Sequence, residues 1–171
     1  MPRAAGQPLP PLLWIAAPML ACLLAALLLA VPLRVFGLAL PEPVFPLAPA
    51  FAWAVIRPSI LGPFALLLGG LFLDLLWDAP LGLWASALLI AYAFALTARP
   101  LLAGQATATL AVWYVAAVGL AFTAAYLFTM LHAKSAPSLT GTALQFVVTA
   151  LLFPAAYRLI DRFEDAESRY R

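Results

Sequence analysis

The stretch that decides the class of fold is Leu12 to Leu33, which reads LLWIAAPMLACLLAALLLAVPL and contains no charged residue. A helix needs about 20 predominantly apolar residues to cross the hydrocarbon core of a bilayer. This run is too long for the apolar region of a secretory signal peptide, and no small-residue cleavage site closes it. We therefore interpret it as a first transmembrane helix.

The composition of the whole chain is also typical of a membrane protein. Of 171 residues, 66% are hydrophobic and 9% are charged, and the mean hydropathy is +1.04. Soluble domains carry about 25% charged residues, so most of the outer surface of this chain must face lipid. The basic residues are scattered singly, which does not favour nucleic acid as a partner. The single cysteine, Cys22, excludes an internal disulfide and a thiolate metal cluster.

Charged residues, prolines and glycines separate further apolar segments along the chain. They predict an all-α membrane protein with a single transmembrane domain over residues 1–157, a bundle of about six transmembrane helices, and a charged cytoplasmic tail over 158–171. Aromatic residues near the predicted helix ends are interpreted as an interfacial belt: Trp53, Trp77, Trp84 and Tyr157. The predicted spans are about residues 12–33, 43–56, 59–77, 83–98, 107–130 and 139–157.

The second predicted span, 43–56, is the least regular of the six. It contains Pro43, Pro46 and Pro49, and as a helix it would rise only about 21 Å, against about 30 Å of hydrocarbon. A short or kinked span and a re-entrant segment packed inside the bundle both fit this pattern. We prefer the span, because a re-entrant backbone without water is the rarer arrangement.

The placement of Lys and Arg orients the bundle, since cytoplasmic loops of membrane proteins are enriched in both. Two arrangements distribute the Lys and Arg residues equally well between the two sides of the membrane. One has six spans and a cytoplasmic N-terminus, and the other has five spans, a re-entrant second segment and an outer N-terminus. Both arrangements predict a cytoplasmic C-terminus, and the preferred six spans also place the N-terminus in the cytoplasm. The outer side then holds two basic residues, Arg34 and Lys134, and the inner side holds seven: Arg3, Arg57, Arg99, Arg158, Arg162, Arg169 and Arg171.

Two acidic residues, Asp74 and Asp78, lie close to the end of the third segment. They are four residues apart, so a helix would place both on one face, with Gly70 one turn earlier. Asp78 is expected at the outer surface and Asp74 about 6 Å deeper. At that depth a carboxylate normally meets a partner or a wet cavity. An interface or structural anchor, a carboxylate reaching the headgroups, and a step in an ion path all remain open.

Small residues and the lack of reactive clusters complete the sequence-based picture. Gly69 and Gly70, with Gly62 on the same side, allow close helix contact, and packing within the chain is favoured over a partner surface.

His132 is the only histidine, and one histidine without carboxylate or thiolate partners cannot build a metal site. No catalytic triad, phosphate-binding loop or paired metal ligands are found. We therefore predict no catalytic residues, metal site or cofactor.

Residues 70–82, Gly-Leu-Phe-Leu-Asp-Leu-Leu-Trp-Asp-Ala-Pro-Leu-Gly, resemble the core motif of the MreD family of bacterial rod-shape-determining membrane proteins. The shared pattern is a glycine, three apolar residues, an aspartate, a five-residue gap and then Pro-Leu-Gly at the start of the next helix. The proline-rich second segment and the six hydrophobic segments agree as well, and the likeness covers about residues 45–98. Asp78 is not part of the family pattern. The matching positions are Gly70, Asp74, Pro80, Leu81 and Gly82.

The resemblance implies a non-enzymatic scaffold of the cell-wall elongation (rod shape) complex in the bacterial cytoplasmic membrane. Such a scaffold links MreC, a single-span periplasmic protein, to the peptidoglycan synthases. The implied partners are an MreC-like protein, the RodA glycosyltransferase with its class B penicillin-binding protein and, indirectly, MreB. We expect the structurally critical residues to be the matching positions together with Asp78.

The resemblance also supplies an alternative function. MreD-like proteins have a helical fold similar to the substrate-binding membrane subunits of vitamin transporters, so this chain is alternatively such a subunit, with a small vitamin-like ligand inside the bundle. The chain offers few polar groups to orient such a ligand, chiefly Gln105, Gln145 and scattered Ser and Thr. A channel is disfavoured because the predicted spans contain no ring of charged or polar residues.

Overall fold

The computed structural model describes residues 11–30, 34–35, 38–39, 42–102, 104–133 and 138–168. A two-residue antiparallel ladder, β1 (Arg34–Val35) with β2 (Leu38–Ala39), lies between the first two helices. The rest of the regular structure in the described ranges is helical, which confirms the all-α prediction. The helices are α1 (Pro11–Leu29), α2 (Leu47–Ile56), α3 (Leu61–Leu76), α4 (Leu83–Leu102), α5 (Thr107–Ala133), α6 (Leu139–Ala150) and α7 (Phe153–Ser168).

Within the described ranges, three helical segments are long and apolar enough to cross a membrane. They are Leu83–Leu102, Thr107–His132 and Leu139–Arg162, of which the last combines α6 with the first part of α7. Shorter apolar helices cover Trp14–Leu29, Leu47–Ile56 and Leu61–Leu76. These six apolar segments are compatible with a six-helix membrane bundle.

The segment that combines α6 and α7 is interrupted at Leu151 and Leu152. Pro154 lies in the first turn of α7, where its missing N–H costs least, but it cannot continue a helix from the preceding residues. The backbone turns instead, with the Leu152 N–H donating to the Thr149 carbonyl at 3.0 Å. The single predicted span 139–157 is therefore two helices joined by a turn.

The short helix α2 forms the centre of the bundle. Every residue from Leu47 to Ala54 is buried, and the helix contacts α3, α4, α5 and α7. The Phe51 ring meets the Tyr114 ring of α5 edge-on at 5.5 Å, and the Trp53 ring lies 6.5 Å from that of Trp14. Its ten residues rise only about 15 Å. Helical structure therefore covers the second part of the predicted span 43–56, and the first part is irregular.

The irregular backbone that precedes α2 obtains its hydrogen bonds from α6. The Val44 N–H donates to Thr149 Oγ1 at 3.1 Å, and Gln145 Nε2 donates to the Glu42 carbonyl at 2.9 Å. Tyr114 of α5 donates its hydroxyl to the Thr149 carbonyl at 3.0 Å. Buried backbone groups outside regular structure need such partners, so these contacts allow a non-helical segment to lie inside the bundle.

The C-terminal end of α2 is closed by a side chain from α4. Arg99 donates from Nε to the Val55 carbonyl at 3.0 Å and from a terminal guanidinium nitrogen to the Ile56 carbonyl at 3.2 Å. The last carbonyls of a helix have no partner within it, and a cation is favourable at this end of the helix dipole. Arg99, predicted as a charge ending the fourth span, thus also caps a neighbouring helix.

We expect Thr149→Val to lower stability by about 1–3 kcal/mol, because it leaves the buried Val44 N–H without an acceptor while keeping the shape of the side chain. The measurement is thermal unfolding of the detergent-purified protein, followed by tryptophan fluorescence. Thr140→Val, at an exposed position of the same helix, is the control. Equal melting temperatures for the two variants would contradict the role of Thr149.

Candidate functional site

The Asp74 side chain joins α3 to the start of α4. Asp74 is completely buried near the C-terminal end of α3. Its Oδ2 accepts a hydrogen bond from the Gly82 N–H at 2.8 Å, and its Oδ1 accepts one from the Trp84 N–H, also at 2.8 Å. The first N–H groups of a helix lack partners within it and favour a negative charge. Asp74 therefore acts as the N-terminal cap of α4, although it belongs to the preceding helix.

The turn between the two helices adopts two left-handed backbone positions. Asp78 has φ of +50° and Gly82 has φ of +93°. Aspartate tolerates this region better than most residues, and glycine adopts it without steric cost. The Ala79 N–H donates to the Asp74 carbonyl at 2.9 Å, and the Leu83 N–H donates to the Pro80 carbonyl at 3.1 Å. This geometry brings the Gly82 and Trp84 N–H groups to the Asp74 carboxylate.

Gly70 brings the two helix backbones together one turn before Asp74. A Cβ atom at Gly70 would collide with Cα and N of Ala85 and would lie 2.9 Å from the carbonyl carbon of Trp84. All three of these atoms belong to the backbone of the first turns of α4, which cannot move aside as a side chain can. Gly70 and Asp74 therefore secure the same junction, which we call the α3–α4 clamp (Gly70, Asp74 and residues 78–84).

The other small residues of α3 also contact helices of the same chain. A Cβ atom at Gly69 would lie 2.7 Å from Sδ of Met19 in α1, and one at Gly62 would lie 3.5 Å from the Tyr92 ring of α4. Gly69 and Gly70 thus face different neighbours. In this structure the glycines provide packing within the chain, the interpretation that the sequence favoured.

The six residues expected to be critical do not form one buried cluster. Gly70 and Asp74 are buried, whereas Asp78 and Leu81 are exposed. The helix α3 ends at Leu76, so Asp78 lies in the turn and not on the helical face of Asp74. Pro80 and Gly82 are half-buried within the turn.

The predicted aromatic belt is wrong for two of its three tryptophans. Trp53 is 1% exposed and Trp84 is 7% exposed, and both belong to the core. The Trp84 ring meets the Trp77 ring edge-on at 5.4 Å and the Phe122 ring at 5.6 Å. Because Trp84 lies in the first turn of α4, beside the clamp, its ring packs inward between α3 and α5 and does not reach the surface.

The geometry of the clamp favours a structural role for Asp74 over an ion path. Both of its oxygens already accept short hydrogen bonds from backbone N–H groups. Within the described part of the chain, no group of three or more His, Cys, Asp or Glu residues is arranged to hold a metal ion. The carboxylate is thus engaged by α4, as the anchor interpretation requires.

Sequence reasoning missed two side chains that supply hydrogen bonds to α2 and to the backbone before it, the buried Thr149 and the exposed Arg99. Thr149 was one of several scattered hydroxyl residues, and Arg99 was a boundary between spans. The signal for both was indirect. The prolines at 43 and 46 exclude a regular helix at that point, and a non-helical backbone in an apolar bundle requires polar partners.

A cavity of about 240 Å³ lies between α1, α2 and α7. Most of its lining is apolar, including Pro18 and Ala21 of α1 and Ala48 of α2. Arg158 and Arg162 of α7 provide its charged groups. The cavity is separate from the α3–α4 clamp, since the two share no residue.

No family model, curated protein or solved structure matches this chain. The functional assignment therefore depends on the geometry of the clamp and on the motif that forms it.

Replacing Asp74 with Ala should lower stability by several kcal/mol, because each lost hydrogen bond to the charged group contributes about 1.5–3 kcal/mol. Asp78→Asn is the control, since Asp78 is exposed four residues later and asparagine also tolerates its left-handed backbone position. Unfolding of both proteins in detergent provides the comparison. If Asp74→Ala is no less stable than Asp78→Asn, the carboxylate does not cap α4.

Gly70→Ala and Gly69→Ala should differ in melting temperature although the two residues are adjacent. The new methyl group at position 70 meets the backbone of α4, whereas at position 69 it meets the flexible end of Met19. Forcing extra volume into a packed contact costs about 1–3 kcal/mol, so Gly70→Ala should melt at a lower temperature than Gly69→Ala. The reverse order would show that α3 and α4 are not in close contact.

Proposed function

We propose that this chain is a non-enzymatic scaffold of the cell-wall elongation complex, similar to MreD proteins. The observation that carries the proposal is the agreement between the motif and the clamp. Gly70 permits the helix contact, Asp74 caps α4, and Gly82 has the left-handed conformation that brings its N–H to the carboxylate. The motif positions therefore serve one structural unit, which supports a related protein over a chance match of apolar sequence.

The proposed location is the bacterial cytoplasmic membrane, with both termini in the cytoplasm. The six apolar helical segments support this placement, as does the excess of arginine on the proposed inner side. Arg57 follows α2, and Arg99 closes the same end of that helix, so both arginines lie on one side of the bundle. This side is the cytoplasmic one in the proposed orientation.

The second crossing in this placement combines irregular backbone with a half-length helix. Residues 42–45 lie near the middle of the bilayer, and α2 covers about 15 Å of the inner half. Irregular backbone is tolerated at this depth only where protein surrounds it. The hydrogen bonds from Val44 to Thr149 and from Gln145 to Glu42 fulfil this condition, which is compatible with a crossing segment and equally with a re-entrant one.

The outer turn of the α3–α4 clamp is the proposed contact for an MreC-like protein. Leu81 is 67% exposed at this turn although it is a large apolar residue, and Asp78 is exposed beside it. The clamp below holds the turn in one conformation, which lowers the entropic cost of binding. Through the MreC-like protein the scaffold would reach RodA and the class B penicillin-binding protein, and indirectly MreB.

One observation favours the alternative, a substrate-binding subunit of a vitamin transporter. The irregular start of α2 and the turn between α6 and α7 lie side by side, and interrupted helices near the bilayer middle often mark transport sites. The adjoining cavity of about 240 Å³ is below the range of about 300–1,000 Å³ for small-molecule pockets. The scaffold is therefore the better-supported proposal.

The test is purification of the tagged full chain from its native membranes in mild detergent, with mass spectrometry of the co-eluting proteins. We expect an MreC-like protein together with RodA and a class B penicillin-binding protein. Recovery of ATPase subunits or a retained small molecule, without the wall-synthesis proteins, would instead support the transporter subunit.

Leu81→Ala tests the contact surface within the same experiment. It should reduce recovery of the MreC-like protein several-fold if Leu81 is a central anchor of the contact, since truncation of such a residue costs about 2 kcal/mol or more. Leu75→Ala is the control, because Leu75 is 72% exposed on α3 but lies outside the turn. Equal recovery with both variants would remove the turn from the interface.

Asp74→Lys tests the clamp in the cell, because it places a cation at the N-terminal end of α4, where the helix dipole disfavours positive charge. We expect loss of rod shape and loss of the co-eluting partners. A strain with normal shape and normal partner recovery would show that the scaffold does not depend on the clamp.

A further inference from the structure

The cavity between α1, α2 and α7 is lined mostly by apolar residues, with two arginines among its lining residues on α7. Phe45, Ala48 and Leu152 are among its apolar lining residues, whereas Arg158 and Arg162 lie further along α7. The two arginines are four residues apart on one helix, so they lie one turn apart on the same face. An apolar chamber with two cations at one end matches the chemistry of an anionic amphiphile.

The two guanidinium groups are available for a ligand. Arg158 and Arg162 are both exposed, and among the side chains that the structure describes, which end at Arg162 on α7, neither forms a hydrogen bond or ion pair. Asp161 lies beside them on α7 and is exposed as well, but it is not among the residues that line the cavity. Guanidinium groups bind phosphate through paired hydrogen bonds.

The dimensions of the cavity fit half a bilayer, given the membrane placement proposed above, on which this inference rests. Leu152 lies in the turn between α6 and α7, close to the contact of Val44 with Thr149. From Leu152 to Arg162 the chain rises about 15 Å if it is helical, which is half of the hydrocarbon thickness of about 30 Å. The arginines then lie at the level of the inner headgroups and the apolar end lies near the bilayer middle.

We propose that this cavity binds one anionic phospholipid of the inner leaflet. Arg158 and Arg162 hold its phosphate, and part of one acyl chain fills the apolar chamber beside α2. Basic pockets between transmembrane helices on the cytoplasmic side are suited to anionic headgroups. The volume of about 240 Å³ suits a segment of one chain and is small for a drug-sized ligand. The bound lipid would cover α2 on a side where α1 and α7 leave a gap.

The test is native mass spectrometry of the purified full chain in detergent, with added phosphatidylglycerol or phosphatidylcholine. We expect one retained phosphatidylglycerol molecule per chain and much weaker retention of phosphatidylcholine. Arg158→Gln and Arg162→Gln should each weaken retention about fivefold, the effect of one basic residue near an anionic membrane surface. Arg57→Gln is the control, since Arg57 is exposed and outside the cavity. Equal retention of both lipids, or an equal effect of Arg57→Gln, would overturn the proposal.

A second variant tests the apolar chamber independently of charge. Ala155 lines the cavity from the exposed side of α7, so Ala155→Phe should fill the chamber and reduce retention while both arginines remain. The lipid-free Ala155→Phe variant should have the same melting temperature as the lipid-free wild type, which shows that it folds. If Ala155→Phe retains phosphatidylglycerol as the wild type does, or if inorganic phosphate displaces it fully, the cavity is not a lipid site. Because no partner protein is present, failure here is distinct from failure of the scaffold proposal.

Discussion

The arrangement of α3 and α4 depends on the pair of hydrogen bonds between the Asp74 carboxylate and the Gly82 and Trp84 N–H groups. Asp74 is completely buried, so the N–H groups that it meets cannot rely on water, and each unpaired buried group is costly. Asp74 satisfies two of them and adds a favourable charge at the helix end. Gly70 permits the approach that this requires, because any side chain there would meet the backbone of α4. The position of α4 matters for the rest of the bundle, because α4 also contacts α2 and α5.

The same constraint explains how α2 can be short and central. Its preceding backbone donates to Thr149 of α6, and its final carbonyls accept from Arg99 of α4. Polar side chains on three helices thus supply hydrogen bonds where helices begin or end: Asp74 and Thr149 do so from buried positions and Arg99 from an exposed one. In the described ranges the two buried polar residues, Asp74 and Thr149, both serve the fold. This is compatible with the proposed scaffold, in which the exposed turn at Leu81 contacts a partner.

The sequence predicted the helical class, the apolar segments and the need of Asp74 for a partner, because these follow from composition and from the cost of a buried charge. It did not show that this partner is the backbone of the next helix. Every residue except proline carries a main-chain N–H group, so the sequence cannot indicate which N–H groups a carboxylate will bind. The residue at which α2 begins could not be predicted from the sequence either. The prolines showed an irregular stretch, but its acceptor lies about 100 residues away at Thr149, and such a pairing requires the fold. The prediction of surface positions for Trp53 and Trp84 was wrong, because a residue's closeness to the end of a span does not determine whether its ring faces the core or the surface.

The most direct measurement for the central claim is amide hydrogen exchange at Gly82 and Trp84, recorded by NMR on the labelled protein in nanodiscs. Both amides should be protected in the wild type, although a turn residue and the second residue of a helix ordinarily exchange fast. In Asp74→Asn the side chain keeps one acceptor oxygen and replaces the other with a donor, so one of the two amides should lose its protection and the other should keep it. Fast exchange of both amides in the wild type, or unchanged protection in Asp74→Asn, would contradict the account.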